Sequence, residues 1–426
     1  MDAASEINPS PRSQHLCSDY LNRNQAYQAH ADVMGPLRLM AQSTGALLKQ
    51  PWPGFSDNVM VRTMAAACEL VVRTGMSHSR PPFGLDTTMV NGREVAVTEE
   101  DVVETPFGNL LHFAKDGGAD QPRVLLVAPM SGHFATLLRG TVKTLLPDND
   151  VYITDWKNAR AVSLSHGRFD LDDFIDTLVG FMNFLGPKHH VIAVCQPAVP
   201  VFAAVALMAA DGAPNQPATM TLMGGPIDTR INPTQVNLLA TTREFEWFER
   251  NVITSVPLRY PGAFRRVYPG FLQLAGFMQM NLDRHVTAHV DLFNNLVKGD
   301  GESAEATQKF YDEYTAVMDL PAEFYLQTIR EVFQLHSLPL GKYTSRGRKV
   351  EPKAIKQTAL LTVEGENDDI CAVGQTSAAH GLCTGLSNSK KAQHLQPKVG
   401  HYGVFNGRRW STEIYPVLRD FIRTHG

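Results

Sequence analysis

One polar, nucleophilic residue interrupts a long apolar stretch in the middle of this 426-residue chain. His190-Val191-Ile192-Ala193-Val194 is a short run rich in β-branched residues, Cys195 follows it, and an alanine-rich apolar segment begins almost at once. The pattern reads as a buried strand, a one-residue corner and a buried helix. A corner of this kind lifts a nucleophile clear of a sheet, in the turn usually written G-x-S-x-G. Here Ala193 and Pro197 stand where the two glycines belong. The turn leaves little room for a Cβ, so alanine is the smallest substitute. Proline fits the first turn of a helix, where its missing N–H would have had no partner. Such a corner must hold Cys195 in a strained backbone conformation, and ordinary angles there would rule the reading out.

A nucleophile of this kind needs a base, the base needs an orienting acid, and the developing oxyanion needs donors. Where all three side chains sit in loops after strands of one parallel sheet, they follow the chain order nucleophile, acid, base. After the apolar run Ala359–Val363 comes Glu364-Gly365-Glu366-Asn367-Asp368-Asp369-Ile370. Hydrolases with such a corner commonly show Gly-x-x-Asp-x-(Ile/Val) here, and that resemblance selects Asp368 as the acid, with Asp369 as the fallback. Gly400-His401-Tyr402-Gly403 lies between the last expected strand and the last expected helix, which makes His401 the base. One oxyanion donor is expected from the backbone N–H of Gln196, directly after the nucleophile. The other is expected in the loop after Val124–Ala128, from Met130 or Ser131, because Pro129 has no N–H to give. With a cysteine nucleophile the acyl-enzyme is a thioester. The thiolate is the reactive form, and a neighbouring imidazole and a helix N-terminus both favour it.

The elements that must carry these residues can be read from periodicity. Residues 1–24 are polar, contain Pro9 and Pro11, and are expected to form a loose tail. Val33, Leu37, Met40 and Leu47 recur at helical spacing between Gln25 and Gln50, Pro51-Trp52-Pro53-Gly54 breaks the pattern, and a second amphipathic helix is expected over Val59–Thr74. The N-terminal helices are thus assigned to 25–80. Two antiparallel strands are expected at Glu94–Thr98 and Leu110–Ala114. Buried strands are expected at Val124–Ala128, Val151–Thr154, Val191–Val194, Thr219–Met223 and Ala359–Val363, with a weaker one at Gln393–Gln396. Helices are expected at Ala135–Leu146, at Leu171–Leu185 behind an Asp170 N-cap, at Ala203–Ala210, near Gly374–His380 and at Thr412–Arg423. Strand–helix alternation with the nucleophile on such a corner predicts an α/β-hydrolase fold with a mostly parallel sheet. The alternation stops between Thr229 and Arg346, where no clear buried strand is found. The reading is therefore a core of 81–228 and 347–426, with 229–346 inserted as a helical cap. Phe245, Trp247, Phe248, Tyr260, Phe264, Tyr268, Phe271, Phe277 and Met278 crowd that insert. Most of them are expected to pack the cap's own small core, and the rest to line an apolar channel or surface.

Composition narrows the class further. The chain is 43% hydrophobic and 19% charged, ordinary for a globular protein, and its net charge near −4 leaves no basic footprint for nucleic acid or a membrane surface. Cys17, Cys68, Cys195, Cys371 and Cys383 show no C-x-x-C spacing, which fits reduced thiols in a cytosolic compartment. The opening Met1-Asp2-Ala3-Ala4-Ser5-Glu6 has no secretion-signal character, and no stretch approaches the roughly 20 apolar residues of a membrane span. His285 and His289 have the i, i+4 spacing of a helical zinc pair but lack the glutamate of H-E-x-x-H, so no metal is expected there. Without a G-x-G-x-x-G or Walker sequence, no nucleotide cofactor is implied.

Several segments resemble the intracellular poly(3-hydroxybutyrate) depolymerases. They are Ala128-Pro129-Met130-Ser131-Gly132-His133, Val194-Cys195-Gln196-Pro197, Met223-Gly224-Gly225-Pro226-Ile227-Asp228, Glu246-Trp247-Phe248-Glu249-Arg250-Asn251-Val252-Ile253, Arg266-Val267-Tyr268-Pro269-Gly270-Phe271 and Gly400-His401-Tyr402-Gly403. The similarity spans roughly residues 55 to 424. It implies an α/β-hydrolase with a Cys-Asp-His triad, carried by Cys195, Asp368 and His401, that acts on amorphous polyester granules in the cytoplasm; no cofactor is expected. Two other readings compete. One is a polyester synthase-like acyltransferase, which uses a cysteine at the same corner but has glycine after it. The other is a granule-coat protein that binds polymer without turnover.

Overall fold

The computed structural model describes residues 11–50, 58–118, 120–280 and 282–426. Its centre is a nine-stranded sheet: β1 (Thr87–Val90), β2 (Arg93–Glu104), β3 (Gly108–Lys115), β4 (Arg123–Val127), β5 (Asp150–Trp156), β6 (His190–Val194), β7 (Thr219–Met223), β8 (Ala359–Gly365) and β9 (Lys391–Gln396). The spatial order is β1-β2-β3-β5-β4-β6-β7-β8-β9. The first pairings, through β3–β5, are antiparallel, and every pairing from β5 to β9 is parallel. This is the α/β-hydrolase topology that the sequence predicts. The inner strands are buried on both faces, as their unbroken apolar runs require.

The order reversal at β5-β4-β6 has a functional consequence. β4 and β6 are neighbours in register, Val127 against Ala193, so the loops leaving their C-terminal ends meet. In open α/β sheets a ligand crevice forms at such a switch point, beyond the carboxyl ends of the strands. β7 lies between β6 and β8, and β9 follows β8, which brings the remaining loops to the same edge.

Helices cover both faces of the sheet. α3 (Arg139–Leu145) follows a 3₁₀ turn at Ala135–Leu138, α4 spans Leu171–Leu185, and α5 spans Ala198–Ala210. Asp170 caps α4 as expected, and Asp173 returns the bond to the Asp170 N–H in a capping box. α5 begins directly at the corner, five residues before the expected Ala203, and is buried from Ala198 to Met208.

Two N-terminal helices precede the sheet. α1 runs from Pro11 to Leu48 and α2 from Val59 to Arg73. Residues 11–24 are therefore helical and not a loose tail. Pro11 opens the helix where a missing N–H costs nothing, and no glycine or proline interrupts the residues that follow up to Asn24. Residues 1–10 and the Pro51–Gly54 break lie outside the described residues.

The insert between β7 and β8 is mainly helical, with α6 (Gln235–Thr242), α7 (Phe245–Asn251), α8 (Gly270–Met280), α9 (Leu282–Lys298), α10 (Gly301–Tyr314) and α11 (Ala322–Thr328). It also holds a small antiparallel sheet, Thr254–Ser255, Arg266–Tyr268 and Leu320–Pro321, where no buried strand was expected. Pieces of two or three residues are too short to show a period. A buried ion pair ties the insert to the core: Arg160 Nε donates to Asp319 Oδ2 at 2.9 Å, and the guanidinium lies over the Tyr260 ring at 4.7 Å. α1 also grips it. Tyr27 stacks on Phe271 with ring centroids 4.0 Å apart, and Arg259 pairs with Asp32. Of the crowded aromatics, Phe248 packs a core of the insert's own with Ile253, Ala322, Leu326 and Ile329, whereas Phe264 is exposed.

Two expected helices take other forms. Residues 373–378 are a run of turns and only Ala379–Leu382 is helical, for a reason that appears at the site below. The closing segment is a π-helical turn at Trp410–Ile414 followed by α12 (Tyr415–His425), because Pro416 cannot donate back into a continuous helix.

Candidate active site

Cys195 leaves β6 with φ of +66°, in the left-handed region that a side chain rarely occupies. The strain required of a nucleophile corner is therefore present. Its N–H donates to Met223 O at 2.8 Å and its carbonyl accepts the Ala198 N–H at 3.1 Å, so the corner is pinned on both sides. Ala193 and Pro197 serve where glycines are usual, and the space the turn needs comes from a neighbouring loop. A Cβ on Gly225 would lie 2.1 Å from Ala198 Cβ and 3.1 Å from Cys195 O. The glycines after β7 are thus part of the site.

Asp368 and His401 meet at the same edge. The His401 Nδ1–H donates to Asp368 Oδ2 at 2.8 Å, and both side chains are buried. Asp368 Oδ1 accepts the N–H groups of Ile370 at 2.9 Å and Cys371 at 2.8 Å, which fixes the carboxylate. Asp369 is exposed, so burial separates two carboxylates that are adjacent in sequence. Gly224, at φ of +54°, makes room for the pair: a Cβ there would stand 3.3 Å from His401 Cε1 and 3.4 Å from Asp368 Oδ2. The rings of Tyr402 and Phe405 meet the imidazole edge-on at 6.0 and 5.7 Å and hold its plane.

With Nδ1 engaged by Asp368, the remaining ring nitrogen is left for Cys195, the other neighbour that acts on the imidazole. Burial works against a charged imidazole, but the proximity of Cys195 and Asp368, with the hydrogen bond to Asp368, outweighs it. They hold His401 well above the usual histidine range.

Glu364 is a residue that sequence reading passed over. It is buried at the end of β8, and its Oε1 accepts the N–H groups of Gly374, Thr376 and Ser377 at 2.9, 2.9 and 3.0 Å. These bonds hold 373–378 in turns where a helix was expected. They also present Thr376 Oγ1 to Gly225, accepting its N–H at 2.8 Å and donating to its carbonyl at 3.0 Å. A buried glutamate straight after an apolar strand, beside Gly365, was the available signal.

The oxyanion region is less open than the sequence suggests. Gln196 follows the nucleophile as expected, and the Met130 loop faces it. However, the Met130 N–H donates to Gln196 Oε1 at 3.4 Å. The loop is itself anchored, with Gly132 O accepting the Met318 N–H at 2.8 Å. His285 and His289 are engaged in packing: His285 Nδ1 bonds the Tyr311 hydroxyl at 2.9 Å, and His289 Nδ1–H donates to His285 O at 2.8 Å.

The family model described as PHB de-polymerase C-terminus matches residues 224–426. Residues 224–426 are thus similar to a PHB depolymerase C-terminal domain. That domain begins at Gly224 and contains Asp368, His401 and the whole insert, while Cys195 lies before it. No curated protein matches the sequence. Among solved structures, similarity extends to 2-hydroxy-6-oxo-6-phenylhexa-2,4-dienoate hydrolase from Rhodococcus sp. strain RHA1, with 13% identity and a TM-score of 0.44, covering 77% of this chain and 99% of that one. A thermophilic esterase from Thermogutta terrifontis has 14% identity and a TM-score of 0.40, covering 80% and 98%. A monoacylglycerol lipase from Paleococcus ferrophilus has 12% identity and a TM-score of 0.41, covering 72% and 96%. Among the described residues, no helix is long and apolar enough to cross a membrane.

Proposed function

We propose that this chain hydrolyses the ester bonds of poly(3-hydroxybutyrate) stored as amorphous granules in the cytoplasm, using Cys195, His401 and Asp368. The observation that carries the reading is the buried Asp368–His401 pair at the carboxyl edge of the sheet, with Cys195 on a strained corner near enough to act on the imidazole. The depolymerase domain match supports the polyester as substrate.

The Cys195 sulfur attacks the ester carbonyl carbon and the carbonyl electrons move onto oxygen. The Gln196 N–H, beside the sulfur, meets the developing oxyanion. As the tetrahedral intermediate collapses, the C–O bond to the leaving alkoxide breaks and imidazolium His401 gives it a proton. The thioester that remains is attacked by water, whose proton passes to His401. The C–S bond then breaks and the free hydroxyacid leaves. Asp368 keeps the ring in the tautomer that points Nε2 at sulfur and stabilises its charged form. Burial of the pair makes each of these interactions stronger than it would be in water.

The test is the Cys195→Ala variant on native amorphous granules and on a soluble short-chain ester, with release of 3-hydroxybutyrate as readout. Loss of at least about 1,000-fold in kcat is expected, because the residual rate without a nucleophile comes only from binding and the oxyanion donors. Retained activity would sink the mechanism. Incubation of the wild type with 3-hydroxybutyryl-CoA separates the synthase reading, which requires CoA release with polymer formation.

A further inference from the structure

Half of the hydrogen-bonding capacity of one side chain at the corner is unspent. Gln196 Oε1 accepts the Met130 N–H at 3.4 Å, while its Nε2 is buried without a partner. The orientation of the amide is fixed by this contact, since turning it over would set an NH₂ against an N–H. A buried donor without an acceptor is costly, and such groups in native structures call for a specific explanation. Here the donor belongs to the residue that directly follows the nucleophile.

The surroundings of the amide are rigid. Cys195 is pinned by Met223 O and Ala198 N–H, and Pro197, at φ of −61°, leads into the buried helix α5. The loop opposite is held by the Met318–Gly132 bond, and Gln273 packs so closely on Gly132 that a Cβ there would meet its Cδ at 2.9 Å. The Met130 N–H is therefore committed to Gln196 Oε1 as long as both elements stay in place. It cannot at the same time donate to a substrate oxygen.

We propose that the second oxyanion donor is the Gln196 side-chain amide, with the Met130 N–H serving to orient it. Both donors then come from one residue: the backbone N–H of Gln196 and its Nε2–H converge on the carbonyl oxygen of the bound ester. This assignment rests on the cysteine-hydrolase reading of the same site.

The experiment uses the full chain with two substitutions, Gln196→Met and Gln196→Glu, assayed on p-nitrophenyl butyrate. Methionine keeps the length and removes both polar atoms. Glutamate keeps the oxygen that accepts from Met130 and exchanges the NH₂ donor for an oxygen that carries charge when ionised, so retained activity there excludes the donor even if the methionine variant folds poorly. Thermal unfolding and iodoacetamide labelling of Cys195 report the fold and the competent sites. Removing one oxyanion donor lowers kcat by about 100- to 1,000-fold, and KM is expected to stay within about threefold. Both variants must show this loss. If either keeps kcat within about fivefold of wild type while folded and labelled, the Nε2 assignment is overturned and Gln196 only covers the Met130 N–H. Failure of the underlying mechanism is read separately, as wild-type activity in Cys195→Ala.

Discussion

His401 donates to Asp368 across 33 residues of chain, at 2.8 Å and with both side chains buried. The bond orients the ring, and the two N–H groups on Asp368 Oδ1 orient the carboxylate in turn. An asparagine at 368 keeps an oxygen for those N–H groups but presents a neutral amide to the imidazole. Asp368→Asn is therefore expected to fold normally and lose roughly 1,000- to 10,000-fold in kcat. Steady-state kinetics beside circular dichroism check this. A loss below tenfold would mean that Asp368 does not orient the base.

Gly225 is the contact on which the corner depends. A methyl group there overlaps Ala198 Cβ and crowds Cys195 O, with α5 too tightly packed to yield. Gly225→Ala is expected to cost about 1–3 kcal/mol of stability. It should also lower kcat by more than that loss accounts for, since the nucleophile itself is moved. Urea unfolding and kinetics on one preparation separate the two effects. Wild-type values in both would contradict the packing described.

The pH dependence of stability follows from buried histidines. His78, His133, His189 and His190 are each pushed down to about 4, chiefly by burial, from an ordinary value of 6.5. As pH falls from 6.5 toward 4 the unfolded chain takes up protons that the folded chain refuses, so stability is lost on acidification. His401 acts in the opposite sense. Its folded value is raised, so its contribution is present below 6.5 and fades as pH rises through that folded value. The four lowered residues outnumber it, and each costs about 2 kcal/mol at pH 5 relative to pH 7. Urea midpoints should fall clearly between pH 7 and pH 5, and His133→Gln should flatten the slope. Equal midpoints would refute the account.

Much of this protein was legible in the sequence because its signals are local. Val124–Ala128, Val191–Val194, Thr219–Met223 and Ala359–Val363 are continuous apolar runs that only strands buried on both faces need, and each is a strand. Asp170 announced α4 because an N-cap acts on the turn beside it. Cys195, Asp368 and His401 could be proposed together because chain order and strand order are linked in this fold, and the expected strain at Cys195 is present.

What the sequence could not determine depends on contacts between distant residues. Asp368 and Asp369 are chemically identical and adjacent, and only burial against His401 distinguishes them. The Gly374–His380 segment has a helix-like composition, but a glutamate ten residues before Gly374 claims its N–H groups and keeps most of it in turns. The space missing from the Ala193 and Pro197 positions is supplied by Gly225, from the loop after β7. The Met130 N–H was an open donor on paper, and the folded chain commits it to the Gln196 side chain. Local propensity writes the strands and helices into the sequence. Which carboxylate is buried, which donor is free and where a methyl group fits are settled by packing, and packing exists only once the chain has folded.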